Sequence, residues 1–261
     1  IHTQNQFKIL EYLPFPEEVE VLNFEPEILS WSIANSFLIL DISKRELIEL
    51  NNFGEVRFST GLGRNLYKYG DLVWMSIMPD GIRLLDRLEN KIFVLDHRLN
   101  LTQTINFNLK IFPEKAVSGP WGRIFLYSKT LNNIYVFENG VLETFPFINL
   151  FKDFNNNLCV EDMAINGEGE FGILDCSGTL ILFTQNGQKN ISYPSSIENG
   201  KFLISVQSDW FIFNKKGDGF SIKNKIISLI PRSSIPIIDI VSMNRSLAIL
   251  SKDHILIMDV E

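Results

Sequence analysis

The chain has 261 residues, 45% of them apolar and 12% aromatic, with 21 Phe. That is enough to fill a sizeable core, and it is too apolar and too lightly charged for a disordered protein. A net charge of −7 and the lack of any Lys/Arg-rich run argue against a basic face for nucleic acid. No apolar stretch reaches membrane-spanning length, since the longest, residues 226–250, is broken by Arg232, Asp239, Arg245 and two prolines. Ile1 in first place is expected of a processed or trimmed chain, such as one that has lost a signal peptide.

Short apolar runs come in pairs along the chain. "FLILD" (37–41) is followed by a polar turn and "ELIEL", "IRLLD" (82–86) by "KIFVL", and "IFLYS" (124–128) by "NIYVF". "FGILD" (171–175) precedes "TLILF", "FLISV" (202–206) precedes "DWFIF", and "LAILS" (247–251) precedes "HILIM". The second runs end at Leu50, Leu95, Phe137, Phe183, Phe213 and Met258, spaced by 45, 42, 46, 30 and 45 residues. The runs are about five residues long, β-branched or aromatic, and bounded by turn residues, so they read as strands. Several are apolar throughout, as strands packed on both faces must be. Six units with a period near 45 predict an all-β, six-bladed β-propeller with few or no helices.

Inner strands are expected at "ILSWSIA", "LVWMSIM", "KAVSG", "CVEDMAI" and "PIIDIVSM", and outer strands at "EVRFST", "LTQTINF", "VLETFPF", "KNISYP" and "FSIKN". The expected blades of four antiparallel strands are 26–61, 67–107, 108–150, 155–195, 197–234 and 235–261. The short fourth step reads as a shortened connection before the fifth blade. The last unit ends after its third strand, so residues 6–12 are expected to complete it, with the rest of 1–25 as crossover. The alternative is a loose N-terminal arm.

"MAINGEGEFGILDCSGTLILFTQNGQ" and "MSIMPDGIRLLDRLENKIFVLDHRLN" resemble NHL-type repeats: an apolar run, a Gly-containing turn, I-x-x-x-D, a polar turn and a second apolar run. The fifth unit departs from the motif, with Val206 at the Asp position. The resemblance to NHL and TolB-like propellers implies the ring architecture. Scaffolds, receptors and some enzymes share it, so activity has to be argued from a site.

None of His2, His97 and His254 falls on an inner strand, and the residues form no evident Ser-His-Asp grouping. "GLGRNL" (61–66) begins like a phosphate loop but lacks its third glycine and reads as a connection between blades. Asp71, Glu161, Asp162 and Asp239 lie near inner strands. They either hold an axial cation such as Ca²⁺ or cap strand ends. Trp31 and Trp74 on inner strands, with Trp121 in the next turn of the third unit, either floor a peptide or sugar site or pack between blades. A hairpin centred between Gly167 and Glu168 puts Cys159 directly opposite Cys176, which leaves a disulfide or two buried thiols as alternatives.

The expected function is a non-catalytic binding or scaffold module that meets a protein or peptide through one face of a monomeric ring. It has no bound cofactor and no nucleic-acid partner. The rival is a metal-dependent hydrolase or lyase at the channel mouth. A bridged cysteine pair would place the chain in the periplasm, cell envelope or secreted fraction. Otherwise a cytoplasmic location stands.

Overall fold

The computed structural model describes residues 7–21, 23–60, 69–154 and 158–260. "GLGRNL" and His2 lie outside them. The chain opens with strand β1 (Phe7–Pro14) and the single-turn helix α1 (Glu17–Val21), which takes up part of the crossover. Blade 1 is β2 (Ile28–Trp31), β3 (Phe37–Asp41), β4 (Glu46–Leu50) and β5 (Val56–Ser59). Blade 2 is β6 (Leu72–Met78), β7 (Gly81–Asp86), β8 (Lys91–Leu95) and β9 (Leu101–Asn106). Blade 3 is β10 (Lys115–Ser118), β11 (Ile124–Ser128) and β12 (Asn133–Glu138), with an outer edge split into β13 (Val141–Leu142) and β14 (Ile148–Asn149). Pro146, which has no N–H to donate, falls in the interruption.

The single-turn helix α2 (Leu150–Phe154) leads to blade 4: β15 (Val160–Ile165), β16 (Phe171–Asp175), β17 (Thr179–Phe183) and β18 (Lys189–Pro194). Blade 5 is β19 (Phe202–Val206), β20 (Asp209–Phe213), β21 (Asp218–Ser221) and β22 (Ile227–Leu229). Blade 6 is β23 (Asp239–Met243), β24 (Ser246–Leu250) and β25 (His254–Val260), with β1 as its outer strand. β1 runs antiparallel to β25 from Phe7 opposite Val260 to Pro14 opposite His254. Contacts between neighbouring inner strands run β2–β6–β10–β15–β19–β23 and back to β2. The chain is a six-bladed β-propeller.

The core is divided into six apolar clusters, each between two adjacent blades. β3 shows why the runs are apolar throughout: Phe37 and Ile39 face the cluster shared with blade 6, while Leu38 and Leu40 face the one shared with blade 2. Successive side chains of a strand point to opposite faces, and here both faces are buried. Each such Leu, Ile or Phe contributes roughly 1.5–3 kcal/mol by leaving water. Gly172 permits one close approach, because a Cβ there would lie 2.7 Å from the Trp210 ring of blade 5.

The repeated Asp at the end of the second strand has a structural task. Asp41 accepts hydrogen bonds from the backbone N–H of Glu25 and Lys44, both at 2.8 Å. Asp86 likewise accepts from Gly70 (2.6 Å), Asp71 (3.1 Å) and Glu89 (3.0 Å). Each ties its own turn to the segment entering the same blade, and both are fully buried.

The fifth unit corrects the sequence reading. "FLISV" is the innermost strand, not the second, and "DWFIF" is the second, not the third. The third strand is β21, ending at Ser221, so the short step of 30 is a slip of one strand in the assignment rather than a missing connection.

Candidate functional site

The six inner strands wall an axial channel with a cavity of about 460 Å³. Contacts between blades show that their ends are level. Asp239, at the start of β23, accepts a hydrogen bond from the Leu29 N–H at the start of β2 (2.8 Å). Asp162, early in β15, accepts from the Leu203 N–H early in β19 (2.7 Å). At the other ends, Ser30 accepts from the Ile77 N–H (3.1 Å), Ser76 and Ser118 meet at 3.2 Å, and Ser242 donates to the Ser205 carbonyl (2.9 Å). All inner strands therefore start at one face, the entry mouth, and finish at the opposite, exit face.

The channel has two chemical tiers. Glu27, Glu114, Lys115, Asp162 and Asp239 line the entry side, and Ser30, Ser76, Ser118, Ser205 and Ser242 line the exit side. The Ser205 hydroxyl and the Trp31 indole N–H are buried without a partner among the described residues. Both residues border the lumen.

Of the four acids read from the sequence, two reach the lumen. Asp71 turns away to pair with Arg87 at 2.6 Å, and Glu161 pairs with Lys201. Glu27 and Glu114, missed by that reading, take their places. Their signal was present: Glu27, Asp71, Glu114 and Glu161 each stand immediately before, or in the first positions of, an inner strand. Trp31 and Trp74 both border the lumen and also pack between blades. Trp121 lies apart, in a cleft at the exit face between blades 3 and 4.

Burial raises the carboxyls of Asp162 and Asp239 to about 6 and about 7. Backbone hydrogen bonds oppose the rise at both, the Lys115 charge opposes it at Asp162, and the Asp162 charge adds to it at Asp239. Glu27 is raised as well, by burial first and then by Asp41 and Glu25. A carboxyl raised on folding keeps a proton that the unfolded chain has released. Its stabilisation is complete below the unfolded value, near pH 4, and is lost as pH rises through 6 and 7. Both residues keep some surface toward the lumen, and solvent there limits the effect to the order of 1–2 kcal/mol. The melting temperature measured from pH 5 to pH 8 should therefore fall more steeply for the native chain than for Asp239→Asn, which keeps a carbonyl acceptor for Leu29. Equal slopes for the two proteins would show that Asp239 is ionised throughout that range.

The carboxylates do not converge. Asp239 uses one oxygen for Leu29 and the other for the Ile240 N–H at 2.9 Å. Among the described residues no group of three or more His, Cys, Asp or Glu side chains is placed to hold a metal ion. Asp162 and Asp239 cap strand starts of neighbouring blades.

The sequence showed no Ser-His-Asp grouping, but the structure assembles one. Ser234 Oγ lies 2.7 Å from His254 Nε2, and His254 Nδ1 lies 2.7 Å from Asp253. Ser234 and His254 are fully buried and the Tyr12 ring lies over the imidazole at 4.4 Å, so no substrate reaches the hydroxyl. His254 opens β25. Cys159 and Cys176 form a disulfide with Cα atoms 5.4 Å apart.

No family model and no curated protein matches the chain. Solved structures do. A catalytically inactive His-to-Ala variant of virginiamycin B lyase from Staphylococcus aureus, with quinupristin, superposes with a TM-score of 0.68 at 12% identity, covering 98% of this chain and 100% of that one. YCF48 bound to D1 peptide gives 0.62 at 12% identity over 99% and 98%. The WD40 propeller domain of Doa1 gives 0.56 at 14% over 89% and 78%. At such identities the likeness shows the fold alone, and the fold serves an enzyme as well as peptide binding.

Proposed function

We propose that this ring is a non-catalytic binding module that receives a basic segment of a protein partner at the entry mouth of its channel. The supporting observation is the set of acids there. Among the described residues Glu27, Glu114, Asp162 and Asp239 share the lining with one cation, Lys115, and Asp162 and Asp239 are held by backbone N–H groups instead of being aimed at a reacting atom. An acidic mouth on a chain of net charge −7 attracts and orients cations. No His or Cys lines the channel among the described residues. The lyase to which the fold is similar is inactive when one of its histidines is replaced, whereas YCF48 shows a peptide bound to such a ring. The repeats are read as NHL-like, and the disulfide fits an oxidising compartment such as the periplasm, cell envelope or secreted fraction.

Calorimetry with matched Lys-rich and acidic peptides tests the reading. The basic peptide should bind, more weakly at high salt. Glu27→Gln with Glu114→Gln should weaken binding by roughly tenfold, equivalent to about 1.4 kcal/mol. Equal affinity for both peptides would overturn the acidic-mouth reading, and stoichiometric metal that survives dialysis together with EDTA-sensitive turnover of a lactone or ester would replace it with the enzyme reading.

A further inference from the structure

We propose that the cleft beside Trp121, on the exit face and remote from the entry mouth, is a binding site for a neutral saccharide. Trp121 stands in the turn between β10 and β11, 70% exposed. Its backbone is left-handed, φ 65°, a conformation that bulky side chains rarely adopt. Leu99 has the same φ but is only 7% exposed, so packing holds it. Trp121 is not buried in that way: a disfavoured backbone presents most of the largest apolar side chain to water. Strain of this kind persists at ligand sites, because there it positions a contact.

The ring is seated on its neighbour blade. A Cβ at position 169 would lie 3.2 Å from Trp121 Cζ3 and 3.4 Å from Cη2, so glycine there leaves room for the indole against the turn of blade 4. Gly169 itself has φ +83°. The cleft of about 430 Å³ is lined by Trp121, Phe125, Arg123, Glu138, Gln185 and Asn186, among others. That volume lies within the usual range for small-ligand sites, about 300–1,000 Å³.

The lining chemistry selects the ligand. Arg123 Nε lies 3.1 Å from Glu138 Oε2, so the charged groups neutralise each other and the site favours no ion. Gln185 donates through its amide to the Glu168 carbonyl, which leaves its own carbonyl oxygen as an acceptor. Asn186 adds a carboxamide with both donors and an acceptor. The backbone of the surrounding turns is paired internally, Gly119 to Arg123 at 2.8 Å and Gly169 to Asn166 at 3.0 Å. An extended peptide therefore finds no ladder to join here. An aromatic platform ringed by planar polar side chains with no net charge suits a sugar, which has an apolar face and hydroxyls at its rim.

The test titrates the full chain with neutral oligosaccharides (gluco-, manno-, xylo- and chito-series) and with the peptides used above. Binding is read by calorimetry and by protection of tryptophan fluorescence from acrylamide, which reaches Trp121 first because Trp210 is buried and Trp31 and Trp74 are partly so. At least one saccharide should bind with Kd of roughly 1 mM or below and protect the fluorescence. Trp121→Ala should lose about tenfold or more in affinity with an unchanged melting temperature, Trp121→Phe should retain part of it, and Asn186→Ala should weaken it. Glu27→Gln should leave saccharide binding intact, which separates failure here from failure of the entry-mouth reading. Absence of binding across the panel, undiminished binding by Trp121→Ala, or protection by a peptide alone would overturn the proposal.

Discussion

Deleting residues 1–14 should lower the melting temperature by roughly 15 °C or more and drive the protein to aggregate. The deletion removes β1 and so exposes the whole edge of β25. An unpaired, apolar edge recruits other chains. It also empties two seams of the core. Phe7 is 5% exposed and sits against Phe211 and Phe213 of blade 5, at 5.5 and 5.7 Å between ring centres. Leu13, at 4% exposure, belongs to the cluster between blades 6 and 1. Losing a buried Phe and a buried Leu costs about 5–10 kcal/mol together, comparable with the whole stability of a domain. Phe7→Ala alone gives a graded version, about 3–5 kcal/mol. Scanning calorimetry and light scattering report both, and a truncated chain that stays monomeric and melts like the native protein would show that β1 does not hold the ring closed.

Reduction of the Cys159–Cys176 bridge, or Cys159→Ser with Cys176→Ser, should cost on the order of 3 kcal/mol, roughly 6–12 °C in melting temperature. The bridge spans a sequence separation of 17, and both cysteines are exposed, so a small reductant reaches them without unfolding. Thiol titration of denatured, unreduced protein should find none, and two after reduction. Two thiols before reduction would refute the bridge.

The route by which these cysteines meet shows where sequence reading stops. The turn is centred on Glu168, and β15 and β16 pair as Ile165 with Phe171 through Asp162 with Leu174. Continued unchanged, that register would place Val160 opposite Cys176. A β-bulge at Glu161 shifts it by one, so Val160 faces Asp175 and the Cys159 carbonyl accepts the Cys176 N–H at 3.0 Å. The pair inferred from a turn centred half a residue earlier is the pair observed, for a different reason. A bulge leaves no mark in the pattern of residue types.

The same bulge separates Glu161, paired with Lys201, from Asp162 in the lumen. Both acids stand near the start of β15, and a sequence alone does not say which of two adjacent acids reaches the channel. The period, the pairing of runs and the closing strand were legible because they rest on composition and spacing over the whole chain. The order of strands within blade 5 was not. β19 and β20 are both apolar, since both are packed on two faces, and this removes the alternation that would tell an inner strand from a middle one. The serine tier was legible in principle, as Ser30, Ser76, Ser118, Ser205 and Ser242 recur late in five inner strands, while Ala164 lies in the corresponding stretch of β15.

The clasp between β1 and β25 also bears on the order of folding. Within blades 1 to 5 the paired strands lie close in sequence, and their contacts close short loops. The partners Phe7 and Val260 are separated by almost the entire described chain. Chain entropy makes such a contact expensive to form early, so the blades are expected to build from local hairpins while the ends still diffuse freely. Joining Phe7 to Val260 through a short linker, and opening the chain instead at the exposed turn Asn139–Gly140, would turn this most distant contact into a local one. The same opening carries the partners Glu138 and Val141 to the two new ends, so the permuted ring should form the β1–β25 clasp early and close last at blade 3, with the same blades and the same channel.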